Sequence, residues 1–228
     1  MNRSCQPELL DLDGIPADAF GPMLREINYI NVNLGGHKVT LEGLKAFDPA
    51  RQKQPLVIAE IGSGGGDNLR LIYEWCQKKG IAVKLIGIDI RPECVAFARE
   101  QTAAIPVEYI VSDYKKVIFE TRPDIIFNAL FCHHFLEKDV EFMLGWMKEN
   151  SRLGFFINDL HRHFLAWGSI RILTRLFSKS YMVRYDAPLS VKRGFTRSEW
   201  QDLMANTGIR KASIEWKWAF RHLIVVRN

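Results

Sequence analysis

The sequence predicts an α/β fold, a three-layer sandwich in which one open sheet carries helices on both faces. Three observations carry that prediction. Apolar, β-branched runs alternate with helical patterns from residue 56 onward. The first of these runs ends in the glycines Gly62, Gly64, Gly65 and Gly66, and a helical pattern follows at once. Three successive runs carry an acid at or beside their ends, Glu60, Asp89 and Asp113.

Each element has its own local reason. Residues 1–50 form an N-terminal extension of two helices broken at Gly35-Gly36, and Pro49 with the polar stretch 51–55 separates them from the first strand. Strand 56–61 is rich in β-branched residues (Val57, Ile58, Ile61) and reads as buried on both faces. Helix 67–79 shows apolar residues at Leu69, Ile72 and Cys76. Strand 83–89 follows at the spacing of a βαβ unit, about 30 residues. Helix 92–103 opens with Pro92 in its first turn, where a missing N–H costs nothing. Strands 106–111 and 124–129, helix 137–149 and strand 153–158 continue the alternation. Residues 160–180 are an insertion of helical character, and 185–195 read as an irregular loop around Pro188. Thr196-Arg197-Ser198-Glu199 has capping-box spacing and opens helix 196–207. Runs 210–216 and 220–227 are the last strands. No repeat and no linker long enough for a second domain is visible, so 1–228 is expected to be one domain: a helical lid over 1–50 and a core over 56–228 with a cap over 160–195.

The glycine turn narrows the ligand. A dinucleotide turn needs glycines at relative positions one, three and six, and counting from Gly62 the sixth position is Asp67. A triphosphate-binding loop needs Gly-Lys-Ser/Thr, which does not follow Gly66. Glu60 and Asp67 would also repel a pyrophosphate. What remains is Glu-x-Gly-x-Gly-x-Gly over 60–66, and this resembles the first motif of the class I S-adenosylmethionine-dependent methyltransferases. That resemblance implies a Rossmann-like, mostly parallel seven-stranded sheet with an antiparallel last strand. It also implies S-adenosylmethionine as cofactor, held by Glu60, Gly62, Ser63, Gly64 and Gly66 of the turn, by Asp89 and Ile90 at the ribose, by Asp113 and Tyr114 at the adenine, and by Asn128 of the fourth motif. A carboxylate at the tip of the second strand suits both ribose hydroxyls.

Ligands of open α/β sheets sit beyond the carboxyl ends of the strands. Two segments there are expected to face a methyl acceptor: 128–135, with His133 and His134, and 158–163, with Asp159, His161 and Arg162. Transfer from a sulfonium needs alignment, worth up to about 7–11 kcal/mol, and no acid to expel the thioether. A hydroxyl acceptor also needs a base, which histidine supplies near neutral pH. His134, His133 and His161 are the candidates, in that order, each set against the alternative of a histidine that only holds its loop. Asp159, Arg162, Trp167 and Arg193 are the candidate acceptor contacts. In the lid, Tyr29, Asn33 and His37 are placed to touch either ligand. No metal is expected, because the Asp…Asp-Asn pattern of cation-dependent O-methyltransferases is absent, although Asp159, His161 and His163 lie close in sequence.

Composition sets the remaining bounds. With 47% hydrophobic and 25% charged residues the chain has the make-up of an ordinary globular protein. No run approaches ~18 apolar residues, and the N-terminus lacks the apolar core of a secretion signal. Cys5, Cys76, Cys94 and Cys132 are scattered, which fits neither a zinc site nor a disulfide framework. The expected compartment is the cytoplasm. Net charge is +5, and between His161 and Arg197 eight basic residues face one acid, Asp186. This basic, apolar insertion fits a cap over an aromatic or anionic small molecule, a membrane-surface contact, or plain packing on the sheet. A nucleic-acid partner is not expected: 128–131 reads Asn-Ala-Leu-Phe, without the Pro-Pro-aromatic or Pro-Cys loops of base methyltransferases. The expected activity is therefore methylation of a small molecule on a phenolic, polyketide or quinone-like hydroxyl. A nucleic-acid methyltransferase and a silent cofactor-binding subunit are the alternatives.

Overall fold

A computed structural model describes all 228 residues. Seven strands form one sheet: β1 (Leu56–Ile61), β2 (Val83–Asp89), β3 (Val107–Val111), β4 (Ile125–Ala129), β5 (Gly154–Leu160), β6 (Ala212–Lys217) and β7 (Arg221–Arg227). Their spatial order is β3-β2-β1-β4-β5-β7-β6, with β7 antiparallel to both its neighbours and every other pair parallel. The strand order reverses between β1 and β4, and the crevice above that point is where such sheets bind ligands.

The helices are α1 (Ala17–Asn33), α2 (Gly36–Lys45), α3 (Asp67–Lys78), α4 (Pro92–Gln101), α5 (Glu137–Asn150), α6 (Phe164–Phe177), α7 (Tyr181–Arg193) and α8 (Arg197–Asn206). β1 is buried along its whole length, which explains its unbroken apolar run. Val57, Ala59 and Ile61 point into a core shared with α5 and α8, around Met143, Leu144 and Trp200. Leu56 and Ile58 point the other way, onto Val39 and Leu44 of α2 and onto Leu69 and Ile72 of α3. Fully burying such a side chain contributes about 1.5–3 kcal/mol. The strand period of two therefore sends Glu60 to the α3 side, at the sheet's carboxyl edge.

Two features depart from the sequence expectations. Residues 185–195, expected to be irregular, lie mostly inside α7 in spite of Pro188. Pro188 removes one helical hydrogen bond. The helix survives because Ser180 caps it, the Ser190 hydroxyl bonds the Asp186 carbonyl, and Met182, Val183, Leu189 and Val191 are buried. The second is the segment before α1, which crosses the molecule as a strap. Leu9 and Leu10 donate their N–H groups to Asp186, the Arg3 guanidinium bonds the carbonyls of Arg193 and Phe135, and the Leu12 carbonyl accepts from Arg91. No helix is long and apolar enough to cross a membrane.

Candidate active site

A cavity of about 670 Å³ opens at the carboxyl edge of the sheet. One end is walled by the glycine turn after β1 and the tip of β2, the other by α6, α7 and the strap. Its lining is mainly apolar, with polar groups gathered in a few places.

The glycine end is built by backbone geometry. Gly62 has φ +69°, and a Cβ there would lie 2.2 Å from the Phe131 ring. Gly66 has φ +76° and is equally closed by the Tyr109 hydroxyl. Asp89 accepts the Gly64 N–H at 2.8 Å and the Arg91 N–H at 2.9 Å, so its carboxylate is fixed with lone pairs to spare. Burial raises its pKa, and the two N–H groups oppose that. Glu60 is buried and accepts from Asn68 at 2.9 Å through Oε1, while Oε2 has no partner. Burial holds the Glu60 carboxyl well above the usual carboxylate range. From Asn68 a buried chain of hydrogen bonds runs through Thr40 to Asn158 and the Gly36 carbonyl, tying β1, α2, α3 and β5 beneath the cavity. Ser63 Oγ is also without a partner. Arg221, at the start of β7, is buried on the cavity wall. It gives Nη2 to Asn31 at 2.8 Å and leaves Nε and Nη1 unpartnered, and burial lowers it to about 10.

Orphaned polar groups of two kinds therefore face one cavity: the Glu60 carboxyl and the Arg221 guanidinium. This is the donor set that an amino-acid arm requires, and Asp89 adds an acceptor for hydroxyls. The residues present fit S-adenosylmethionine.

The same cavity wall carries the paired histidines. The 3-10 turn Cys132–His134 follows β4 and presents both rings, with centroids 4.4 Å apart. His133 is 2% exposed, and its Nδ1 lies 2.7 Å from Asp159 Oδ1. Burial alone would raise Asp159, but His133 and the N–H groups of Leu160 and His133 hold it below the usual range. The Asp159 carboxylate thus fixes the Nδ1 side of the ring and leaves Nε2 on the side of Glu8. His134 repeats the arrangement, with Nδ1 2.8 Å from Asp11 Oδ1 and Asp11 likewise held low against its burial by His134. Both Nε2 atoms face Glu8, at 3.6 Å and 3.8 Å from its two oxygens. Glu8 is 3% exposed, and burial pushes it up to about 7.

Of the sequence candidates for the cofactor, Glu60, Gly62, Ser63, Gly64, Asp89, Ile90, Asp113 and Tyr114 line the cavity. Gly66 shapes the turn from behind. Asn128 faces away: its amide lies against the sulfurs of Met143 and Met147, and its oxygen accepts from Cys132. The acceptor contacts are placed differently from expectation. Arg162 and Arg193 are buried and already paired: Arg162 donates to the carbonyls of Met1 and Gly194 and to the Glu199 carboxylate at 2.6 Å, and Arg193 to the carbonyls of Gln6, His133 and His134. Asp159 sits behind His133, and Trp167 lies under Arg171 and Lys192. None of these four lines the cavity. His161 stacks on His222 at 4.7 Å, away from the other two histidines and off the cavity wall. In the lid, Tyr29, Asn33 and His37 stay off the wall, while Ile27, Ile30, Asn31 and Leu34 reach it. Sequence reasoning missed Glu8, Asp11 and Arg221. The first two reach the histidines across more than a hundred residues, which no local pattern announces. Arg221 opens a strand and looks like an ordinary flanking charge.

Residues 58–152 match the family model described as methyltransferase domain. No curated protein matches the chain. Several solved structures share its fold. The plantazolicin methyltransferase BpumL, solved in complex with SAH, is 19% identical with a TM-score of 0.67, over 93% of this chain and 95% of that one. A SAM-dependent methyltransferase from Aquifex aeolicus is 17% identical with a TM-score of 0.65, over 94% and 99%. The magnesium protoporphyrin IX methyltransferase ChlM from Synechocystis PCC 6803, solved with bound SAM, is 10% identical with a TM-score of 0.57, over 87% and 82%.

Proposed function

We propose that this protein, which carries a methyltransferase domain on the class I fold, transfers the methyl group of S-adenosylmethionine to a hydroxyl oxygen of a small, largely apolar acceptor. The observation that carries this reading is one cavity lined both by the glycine turn and by the histidine pair. Glu60 and Arg221 hold the ends of the amino-acid arm, Asp89 takes the ribose hydroxyls, and Asp113 with Tyr114 borders the base. The bound cofactor supplies an electrophilic methyl on a neutral leaving group, so the chain needs no acid for departure.

The chain's own task is to bring the acceptor oxygen into line and to unmask it. The apolar walls from α6 and α7 (Ala166, Ile170, Leu173, Val183, Val191) enclose the acceptor's body and exclude water. His134 and His133, oriented by Asp11 and Asp159, are the cavity-wall groups we assign to take the proton of the acceptor hydroxyl. A positioned imidazole contributes about 10²–10⁴-fold. The structural neighbours act on small molecules or peptides, such as plantazolicin and magnesium protoporphyrin IX by their names, which supports the small-molecule class.

The acceptor is amphiphilic in this reading. α6 leaves Ile172, Leu176 and Phe177 exposed, 61%, 68% and 76%, beside Arg171, Arg175 and Lys179. The inner face of the same helix lines the cavity. Such an edge suits a molecule with an apolar body, and contact with a lipid surface fits it as well.

A mass-spectrometric screen of phenols, quinones, hydroxylated polyketides, fatty acids and RNA for a one-methyl gain tests the reading. A hydroxyl-bearing apolar acceptor is expected to gain the mass, and His134→Gln is expected to slow its turnover at least tenfold while cofactor affinity stays near wild type. Methylation of RNA alone, or an unchanged rate in His134→Gln, would refute it.

A further inference from the structure

The histidine pair and Glu8 pose a problem of lone pairs. His133 gives its Nδ1 proton to Asp159 at 2.7 Å, and His134 gives its own to Asp11 at 2.8 Å. Both Nε2 atoms point at the carboxyl group of Glu8. The separations, 3.6 Å and 3.8 Å, exceed hydrogen-bond length. Glu8 Oε1 has no hydrogen-bond partner. The nearest guanidinium, Arg193, stands 3.8 Å away with its Nε–H already given to the His133 carbonyl at 2.9 Å. Three ligand-type side chains thus meet in one place with no direct hydrogen bond between their facing atoms.

We propose that Glu8, His133 Nε2 and His134 Nε2 form a binding site for a divalent transition-metal cation. One ligand atom from each residue lies within 4.8 Å of the others. Around a tetrahedral zinc-class ion, ligand atoms stand about 3.4 Å apart, and the two histidine–carboxylate separations, 3.6 Å and 3.8 Å, lie close to that. The residues behind the ligands are also those of a metal centre. A coordinating histidine generally gives its far nitrogen to a carboxylate, which fixes the tautomer and makes the near nitrogen more basic. Here both histidines do so, to two different carboxylates on two different elements. The charge is also suitable, because Glu8, Asp11 and Asp159 converge on the pair against Arg193. Two imidazoles and one carboxylate favour zinc, cobalt, iron or manganese over magnesium, which prefers an all-oxygen shell. All three residues line the cavity. The proposal replaces the sequence expectation of no metal, and its ligands are not the Asp159, His161 and His163 group that the sequence brings together.

This inference rests on the reading that the histidine pair faces the acceptor, but its test needs neither substrate. The full chain, stripped with a chelator, is titrated with Co²⁺ alone and followed by visible d–d absorption. One saturable equivalent, displaced by Zn²⁺, is expected. Glu8→Gln and His134→Gln should each weaken binding at least tenfold, and Asp11→Asn, behind His134, about tenfold. His163→Gln, in the separate cluster with His161 and His222, should leave the titration unchanged. The S-adenosylmethionine-induced rise in Tm checks that each variant is folded. No saturable band, or a band that persists in folded Glu8→Gln and His134→Gln, overturns the proposal and leaves a shared proton as what separates the lone pairs. A protein that binds cobalt as described but methylates no hydroxyl would instead overturn the acceptor reading and leave the metal site standing.

Discussion

Gly62→Ala probes whether the glycine turn is built by side-chain crowding as well as by backbone conformation. Gly62 and Gly80 both have positive φ, +69° and +66°. An alanine in that region costs about 1–2 kcal/mol at either position. The surroundings differ. A Cβ on Gly80 meets nothing within 4 Å, whereas one on Gly62 would lie 2.2–2.7 Å from three atoms of the Phe131 ring. Phe131 has little freedom to yield, because it packs edge-on against Phe135 at 4.8 Å and against Tyr114 at 6.2 Å. Forcing such a shift costs a further ~1–3 kcal/mol. Gly62→Ala should therefore lose roughly 2–5 kcal/mol and Gly80→Ala only about 1–2. In a chain of this size the difference should appear as roughly 2–12 °C in Tm. Thermal unfolding of both variants measures it, and calorimetric titration with S-adenosylmethionine should show weaker binding only for Gly62→Ala. Equal losses in the two variants would refute the crowding argument.

Other expectations follow from the same geometry. Asp89→Ala removes the acceptor of the Gly64 and Arg91 N–H groups and should cut the cofactor-induced rise in Tm; Arg221→Leu should weaken cofactor binding at least tenfold, and unchanged isotherms would remove either residue from the site. His222 is buried without a hydrogen-bond partner, and burial, with His161 and Arg197 nearby, lowers it to about 4. The unfolded chain takes up this proton near pH 6.5 and the folded chain only near 4, so stability is lost as pH falls between those values, by roughly 2–3 kcal/mol after allowance for partial solvent access. Urea midpoints across that range should fall for the parent and stay flatter for His222→Phe. Parallel curves would show that another group sets the acid limit.

The strands and the residues of the glycine turn and strand tips that line the cavity were legible because they are local. β1, its glycines and Glu60 lie within about ten residues, and Asp89 and Asp113 sit at strand tips that periodicity finds unaided. The acceptor half was legible only in its histidines. Their partners come from the strap (Glu8, Asp11) and from β5 (Asp159), and only the folded chain brings those together. Charge misled in one respect. Arg162 and Arg193 look like anion-binding residues in a basic stretch, yet they tie the strap and the loop after α7 to the core through carbonyl oxygens, a use that composition cannot reveal. Asn128 misled through register, since its position in β4 turns the amide toward α5. Pro188 argued for a loop, and burial of α7 outweighed it.

The strap joins the two ligand regions physically. Its Asp11 orients His134, and its Leu12 carbonyl is held by Arg91, whose own N–H grips Asp89. Thermodynamic reciprocity then applies: whatever factor an occupied donor pocket adds to acceptor affinity, an occupied acceptor pocket must return to the donor. Residues 8–13 thus lay one short stretch of chain against both His134 and the Arg91–Asp89 turn.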